Sequence, residues 1–200
     1  MTEVVVAEAL QDAVSAFETA EIPYVLIGGL ASSLHGRQRS TRDIDLLVRE
    51  TDAKAALEAL ASAGFETEET NPQWIYKAFR NDVQIDLLFW LKGDVHLDDE
   101  MLERSTEGEL EGVRVRVIPP EDLIVVKAVT HDEQTPRHWH DALGVIADTD
   151  LDWEYLGRRA RRGARRVLAL LIYAQSNDLL VTDEVIRTLF DQVYKEAAEP

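Results

Sequence analysis

The chain has no cysteine among its 200 residues, which excludes disulfides, thiolate metal sites and thiol redox chemistry and agrees with a reducing compartment. Lysine is scarce, with five residues against sixteen arginines. Positive charge is short altogether: 38 Asp and Glu against 21 Lys and Arg give a formal charge of −17 and a pI near 4.6. Such a chain is not a general nucleic-acid binder, and a polyanion has to meet a local basic patch. The acidic balance fits a salt-adapted source or simply a solvated acidic face. No stretch approaches the ~20 apolar residues of a membrane span, and the opening MTEVVVAEAL has neither a basic start nor a long apolar run. A cytoplasmic protein with no membrane role is the expectation. Internal repeats and low-complexity segments are also missing. What remains is 46% hydrophobic residues, enough for one domain or for a core with a helical appendage.

The most informative residues are acidic. In YVLIGGLASSLHGRQRSTRDIDLLV, Asp43 and Asp45 follow a Gly28-Gly29 turn, and a further carboxylate, Asp86, sits in the strand-like run VQIDLLFW. Side chains alternate along a strand, so Asp43 and Asp45 share a face and Ile44 opposes them. Two like charges roughly 7 Å apart on one strand repel unless something cationic lies near them. Hard divalent cations prefer carboxylate oxygens and leave positions open for phosphates, which makes a metal site the leading reading. The alternatives are a solvated strand end or a bulge for the pair, and for Asp86 an ion pair with Arg80 or Lys77. Strand interiors disfavour Asp, and the surrounding apolar residues make three separate accidents the weaker account.

The glycines lie where the apolar strand YVLI hands over to the helix start LASSLH. Glycine permits close backbone approach, and the first N–H groups of a helix form an anion site. Ser32 and Ser33 are in reach as hydroxyl donors. Phosphate held opposite a carboxylate pair is the implied chemistry.

The element order follows from periodicity and turn signals. Residues 4–20 read as an amphipathic helix, 24–27 as a strand, 30–36 as a short helix and 43–48 as a strand. Asp52 is a candidate cap for a helix running through Ala63 and ended by Gly64. Trp74–Arg80 and Val83–Trp90 flank Asn81-Asp82, a two-residue hairpin signal, which makes Asp86 part of an antiparallel neighbour in the same sheet. Val113–Ile118 alternates apolar residues with arginine as a last strand. Pro119-Pro120 follows, and the pattern is helical from Glu121 onward. The expected domains are a core over 1–118 and a helical C-terminal region over 119–200.

These residues resemble a known family. Gly-Gly, then Arg39, Thr41, Asp43 and Asp45 in an Arg-x-Thr-x-Asp-x-Asp run, then a third Asp on a later strand, is similar to the nucleotidyltransferase fold of the DNA polymerase beta type. Within it the prokaryotic AbiE-type toxins and minimal nucleotidyltransferases are most similar, through EDLIVVKAVT and RHWHDALGVI. The likeness covers about residues 22–147. It implies an α+β fold with a mixed central sheet flanked by helices, and an enzyme moving an NMP from an NTP to an acceptor hydroxyl. The implied cofactor is two Mg²⁺ ions, with Mn²⁺ as a substitute, on Asp43, Asp45 and Asp86. Gly28, Gly29, Ser32, Arg39 and Lys127 would meet the nucleotide, with Thr41 and Asp141 in support, Asp141 positioning Lys127 or Arg137. Polymerase-like members often carry Ser after the first Gly, where Gly29 stands here, so part of the phosphate contact has to come from elsewhere.

Several residues keep two readings. Arg37, Arg39 and Arg42 are either triphosphate ligands or counter-ions of the Asp pair. Lys127 lies in the apolar run DLIVVKAV, where a charge needs a partner, or snorkels to the surface. His131, His138 and His140 lack metal-ligand spacing, and Trp139 and Trp153 read as core or interface residues rather than stacking platforms. The run GRRARRGARR holds six arginines between Arg158 and Arg166. On one helix, Arg158, Arg161, Arg162, Arg165 and Arg166 would form a stripe. It suits an RNA acceptor such as tRNA, or it pairs with the acidic remainder of the chain or an acidic partner. Three function classes follow: a transferase acting on RNA or protein in a toxin–antitoxin role with a cognate partner, a transferase for a small aminoglycoside-like acceptor, and a silent nucleotide-binding module.

Overall fold

The computed structural model describes residues 2–37, 41 and 43–195. They divide into two compact units, one comprising residues 2–34, 41 and 43–119, the other 35–37 and 120–195.

The first unit is built on seven strands: β1 Tyr24–Ile27, β2 Asp43–Val48, β3 Glu66–Asn71, β4 Ile75–Arg80, β5 Val83–Leu88, β6 Thr106–Leu110 and β7 Val113–Val117. They form one mixed sheet in the order β3-β4-β5-β2-β1-β7-β6. The β2–β5 and β1–β7 pairs are parallel and the rest antiparallel. The helices are α1 Thr2–Thr19, α2 Gly28–Leu34, α3 Ala53–Ser62 and α4 Asp99–Arg104. α1 and α3 pack on each other and on the sheet, and α2 packs on β1 and β2. Phe17, Leu26, Ile44, Leu46, Ile85 and Leu87 are fully buried, and each contributes about 1.5–3 kcal/mol relative to an exposed position.

The expected strands over 24–27 and 43–48 are present with those bounds, and the short helix starts two residues early, at Gly28. Asn81 and Asp82 both have positive φ, 50° and 63°, the backbone of a type I′ hairpin turn. This tight turn holds β4 and β5 in a register that pairs Lys77 with Asp86. Asp52 precedes α3, but its side chain makes no capping hydrogen bond. Three elements had no counterpart in the sequence reading: the edge strands β3 and β6 and the short helix α4, which Asp98 caps by accepting from the Met101 N–H at 2.8 Å.

The second unit is helical: α5 Pro120–Thr130, α6 Arg137–Asp148, α7 Trp153–Arg159, a 3-10 turn over Ala160–Gly163, α8 Ala164–Gln175 and α9 Asp183–Lys195. α5 contacts α6, α7 and α8 and is buried from Glu121 to Val129. Its ionised residues therefore need partners within the protein. The Glu121 carboxylate accepts from the Asp152 N–H at 2.8 Å, Asp122 accepts from the Tyr155 hydroxyl and pairs with Arg159, and Lys127 donates to Asp141 at 2.8 Å.

The single arginine-bearing helix expected over 158–166 does not form. The chain leaves α7 at Arg159 and re-enters α8 at Ala164. Between them, at Gly163, a Cβ would come within 2.3 Å of Val129 Cγ1 on α5. Arg158 pairs with Glu154, Arg159 with Asp122, and Arg166 donates to the His131 carbonyl. Arg165 lies over the Tyr194 ring, and Arg161, Arg162 and Arg165 are exposed.

Candidate functional site

The candidate site is assembled on the middle strands of the first unit. Asp45 stands opposite Ile27 of β1 on one side and Asp86 of β5 on the other, and Asp43 stands opposite Gln84. Directly opposed residues on neighbouring strands share a face. Asp43, Asp45, Gln84 and Asp86 therefore project from one side of the sheet, whereas Ile44 and Ile85 are fully buried. Asp43 is exposed, and Asp45 and Asp86 are half-buried. With adjacent strands about 4.8 Å apart, the Asp45 and Asp86 charges repel by an amount on the order of a few kcal/mol, so a cation has to act on this row.

One such cation belongs to the chain. Lys77 of β4 lies directly across from Asp86, and its Nζ donates to Asp86 Oδ1 at 2.8 Å. Gln84 Nε2 donates to the same oxygen at 2.7 Å. The ion pair weighed against metal binding at Asp86 is thus present, with Lys77 as its partner, while Arg80 pairs with Asp12. Gln84 was not singled out by sequence, although strand alternation from Asp86 already put it on the same face. A row runs Lys77, Asp86, Asp45 across β4, β5 and β2.

Gly28 abuts this row. Its φ is +70°, and a Cβ there would sit 1.9 Å from Asp45 Oδ2. Any side chain would displace the carboxylate and strain the backbone. Gly29 is buried at the start of α2. Ser32, expected as a donor to phosphate, is instead fully buried, and its hydroxyl donates to the Gly28 carbonyl at 2.8 Å. Ser33 donates in the same way to the Gly29 carbonyl at 3.2 Å. The reason is local: one turn on in a short helix, a Ser hydroxyl finds the i−4 carbonyl more readily than solvent. Thr41 Oγ1 accepts from the Asp43 N–H at a long 3.4 Å. Arg39 and Arg42 lie outside the described residues.

The donor chemistry suits a hard divalent cation, since Asp43 and Asp45 offer carboxylate oxygens from one strand face. Among the described residues, however, no three His, Cys, Asp or Glu side chains are grouped closely enough to hold a metal. Asp86 is engaged through Oδ1 by Lys77 and Gln84. In the second unit, Lys127 and Asp141 form a pair only 3% and 2% exposed. Lys127 is therefore a buried charge with a buried partner, not an open cation.

Residues 6–156 match the family described as "Nucleotidyl transferase of unknown function (DUF2204)". No curated protein matches the sequence. Among solved structures, the solution structure of the antibiotic-resistance factor ANT(2'')-Ia is similar with a TM-score of 0.59 at 18% identity, covering 88% of this chain and 94% of that one. ANT(2'')-Ia in complex with adenylyl-2''-tobramycin gives 0.54 at 19%, covering 80% and 97%. The lincomycin-bound lincosamide antibiotic adenylyltransferase LnuA gives 0.52 at 17%, covering 71% and 97%. At these identities the likeness is one of fold, and that fold is the α+β nucleotidyltransferase architecture expected from the sequence. Among the described residues no helix is long and apolar enough to cross a membrane.

Proposed function

Because the chain belongs to the family of nucleotidyl transferases of unknown function that matches three-quarters of it, we propose that it transfers an NMP from an NTP to an acceptor hydroxyl, using the carboxylate row of the first unit with a divalent cation. The observation that carries this reading is the register of Asp45 against Asp86 beside Gly28, where a carboxylate rests on a backbone with no side chain. Asp43 and Asp45 would hold the cation, with Asp86 completing the set through Oδ2. A bound divalent cation neutralises triphosphate charge and lowers the pKa of the acceptor hydroxyl. Gly28 and Gly29 leave the backbone open to the nucleotide, and Thr41 supports the entry to β2. In the reaction the acceptor oxygen bonds to the α-phosphorus, the bond to the β-phosphate breaks, pyrophosphate leaves, and the hydroxyl proton passes to a carboxylate of the row.

For the acceptor we favour RNA or protein, in a toxin–antitoxin type role with a cognate partner. The exposed arginines Arg161, Arg162 and Arg165 support it, since they concentrate positive charge in a chain of formal charge −17. A small-molecule acceptor is the second reading. It is favoured by the fold neighbours, one of which is bound to lincomycin and another to an adenylylated tobramycin.

One assay tests both. Purified protein is incubated with each labelled NTP, with and without Mg²⁺, and with total tRNA, the protein itself or small-molecule acceptors. The expected result is Mg²⁺-dependent label on one acceptor class, absent with Asp45→Ala. No label on any acceptor from any NTP would overturn the proposal.

A further inference from the structure

The third carboxylate of the row is not presented as a bare ion. Asp86 Oδ1 receives two donors, the Lys77 ammonium at 2.8 Å and the Gln84 amide at 2.7 Å, and among the described residues no donor reaches Oδ2. Both donors are held by strand register: Lys77 lies directly across from Asp86, and Gln84 lies two residues before it on the same strand face. Lys77 itself is only 24% exposed, and Asp86 only 19%. The pair is thus largely shielded from solvent, and two bonds to one oxygen orient the carboxyl group.

Resting on the reading of this row as a nucleotidyl-transfer site, we propose that Lys77 is a positioning residue that clamps Asp86 through Oδ1, so that a single oriented oxygen, Oδ2, completes the cation set begun by Asp43 and Asp45. The arrangement has two separable effects. By fixing the carboxyl rotation, Lys77 raises the rate of the bound complex, because a group held in productive geometry needs no reordering during reaction. By adding a positive charge to a row of three negative ones, it weakens the attraction of that row for any divalent cation. A residue that merely filled space would do neither. Removal of Lys77 therefore has opposite consequences for cation binding and for turnover.

The test uses the full chain and the variants Lys77→Met, which keeps the stem and removes the charge, and Lys77→Arg, which keeps a cationic donor. Mn²⁺ affinity is measured by electron paramagnetic resonance without nucleotide, and kcat and KM for NTP are measured in the transfer assay. We expect Lys77→Met to bind Mn²⁺ about threefold or more tightly and to lose about tenfold in kcat with KM within twofold, and Lys77→Arg to recover most of both. Equal Mn²⁺ affinity in wild type and Lys77→Met, or an unchanged kcat, would overturn the clamp while leaving the transfer activity standing. Mn²⁺ binding that tightens in Lys77→Met, in a protein that transfers no nucleotide at all, would keep the charge effect and overturn the activity. A wild type that binds no Mn²⁺ would overturn both. Should Lys77→Met fail to fold, Lys77→Gln carries the same measurements.

Discussion

Acidic side chains are treated in opposite ways by the two units. In the helical unit, Glu121, Asp122 and Asp141 are buried, and each is met by a donor of its own: a backbone N–H, a tyrosine hydroxyl with an arginine, and a lysine. In the sheet unit, Asp43, Asp45 and Asp86 stand on one face, exposed or half-buried, with Lys77 bonded to the last of them. A charge deep in a protein is tolerated only when it is paired, so a matched buried carboxylate reports on stability. Neighbouring carboxylates kept near solvent stay accessible to a cation that arrives with substrate. Burial distinguishes the two groups even though the residue types are the same.

The largest test of that contrast is Asp45→Ala. We expect transfer to fall by a thousandfold or more, above about 4 kcal/mol at about 1.4 kcal/mol per decade. Thermal stability without metal should change far less than activity, because Asp45 is only half-buried. A marked drop in melting temperature with activity kept would erase the distinction between the units. The converse experiment is Asp141→Ala, which strands Lys127 in the core and should cost about 3 kcal/mol of stability in denaturant titration. The double variant Lys127→Met with Asp141→Leu should recover part of that loss, since the two charges leave the core together.

Gly28→Ala probes the boundary between structure and site. The left-handed backbone alone costs about 1 kcal/mol, and the new methyl would push Asp45 aside, so transfer should fall about tenfold by kinetic assay while the fold persists by circular dichroism. The smallest expected effect is at Asp12, which pairs with Arg80 while half exposed. Asp12→Asn should change stability by no more than about 1 kcal/mol. A larger loss there would mean that pairing alone, without burial, accounts for the behaviour of the helical unit.

The carboxylate face was legible because two strong local rules coincide. Strand alternation aligns Asp43 with Asp45, and the Asn81-Asp82 turn sets a hairpin that carries Lys77 onto Asp86. The parallel pairing of β2 with β5 was less legible, since it depends on a connection running through α3, β3 and β4 that no local pattern encodes. β3 and β6 escaped for a physical reason. ETEETN and TEGEL carry little apolar alternation because edge strands bury few side chains. The Ser32 bond to the Gly28 carbonyl was not legible, although a hydroxyl at a helix start has a carbonyl one turn back within reach. The arginine run was misread because its three- and four-residue spacing is helical, whereas a 3-10 turn over Ala160–Gly163 divides α7 from α8.

The two strands that close the sheet have a consequence for how copies of this protein meet. β3 lines one rim with Glu66, Glu68 and Glu69, and β6 lines the other with Glu107 and Glu109, all exposed. An unpaired rim is a template on which a neighbour's strand can add. Here an approaching copy would bring glutamates against glutamates at a spacing of about 4.8 Å, so sheet-to-sheet growth is opposed before the first backbone bond forms. Part of the chain's acidity is thereby colloidal in purpose: it keeps crowded molecules from fusing along their rims, and it lapses as the solution is acidified toward the pI near 4.6.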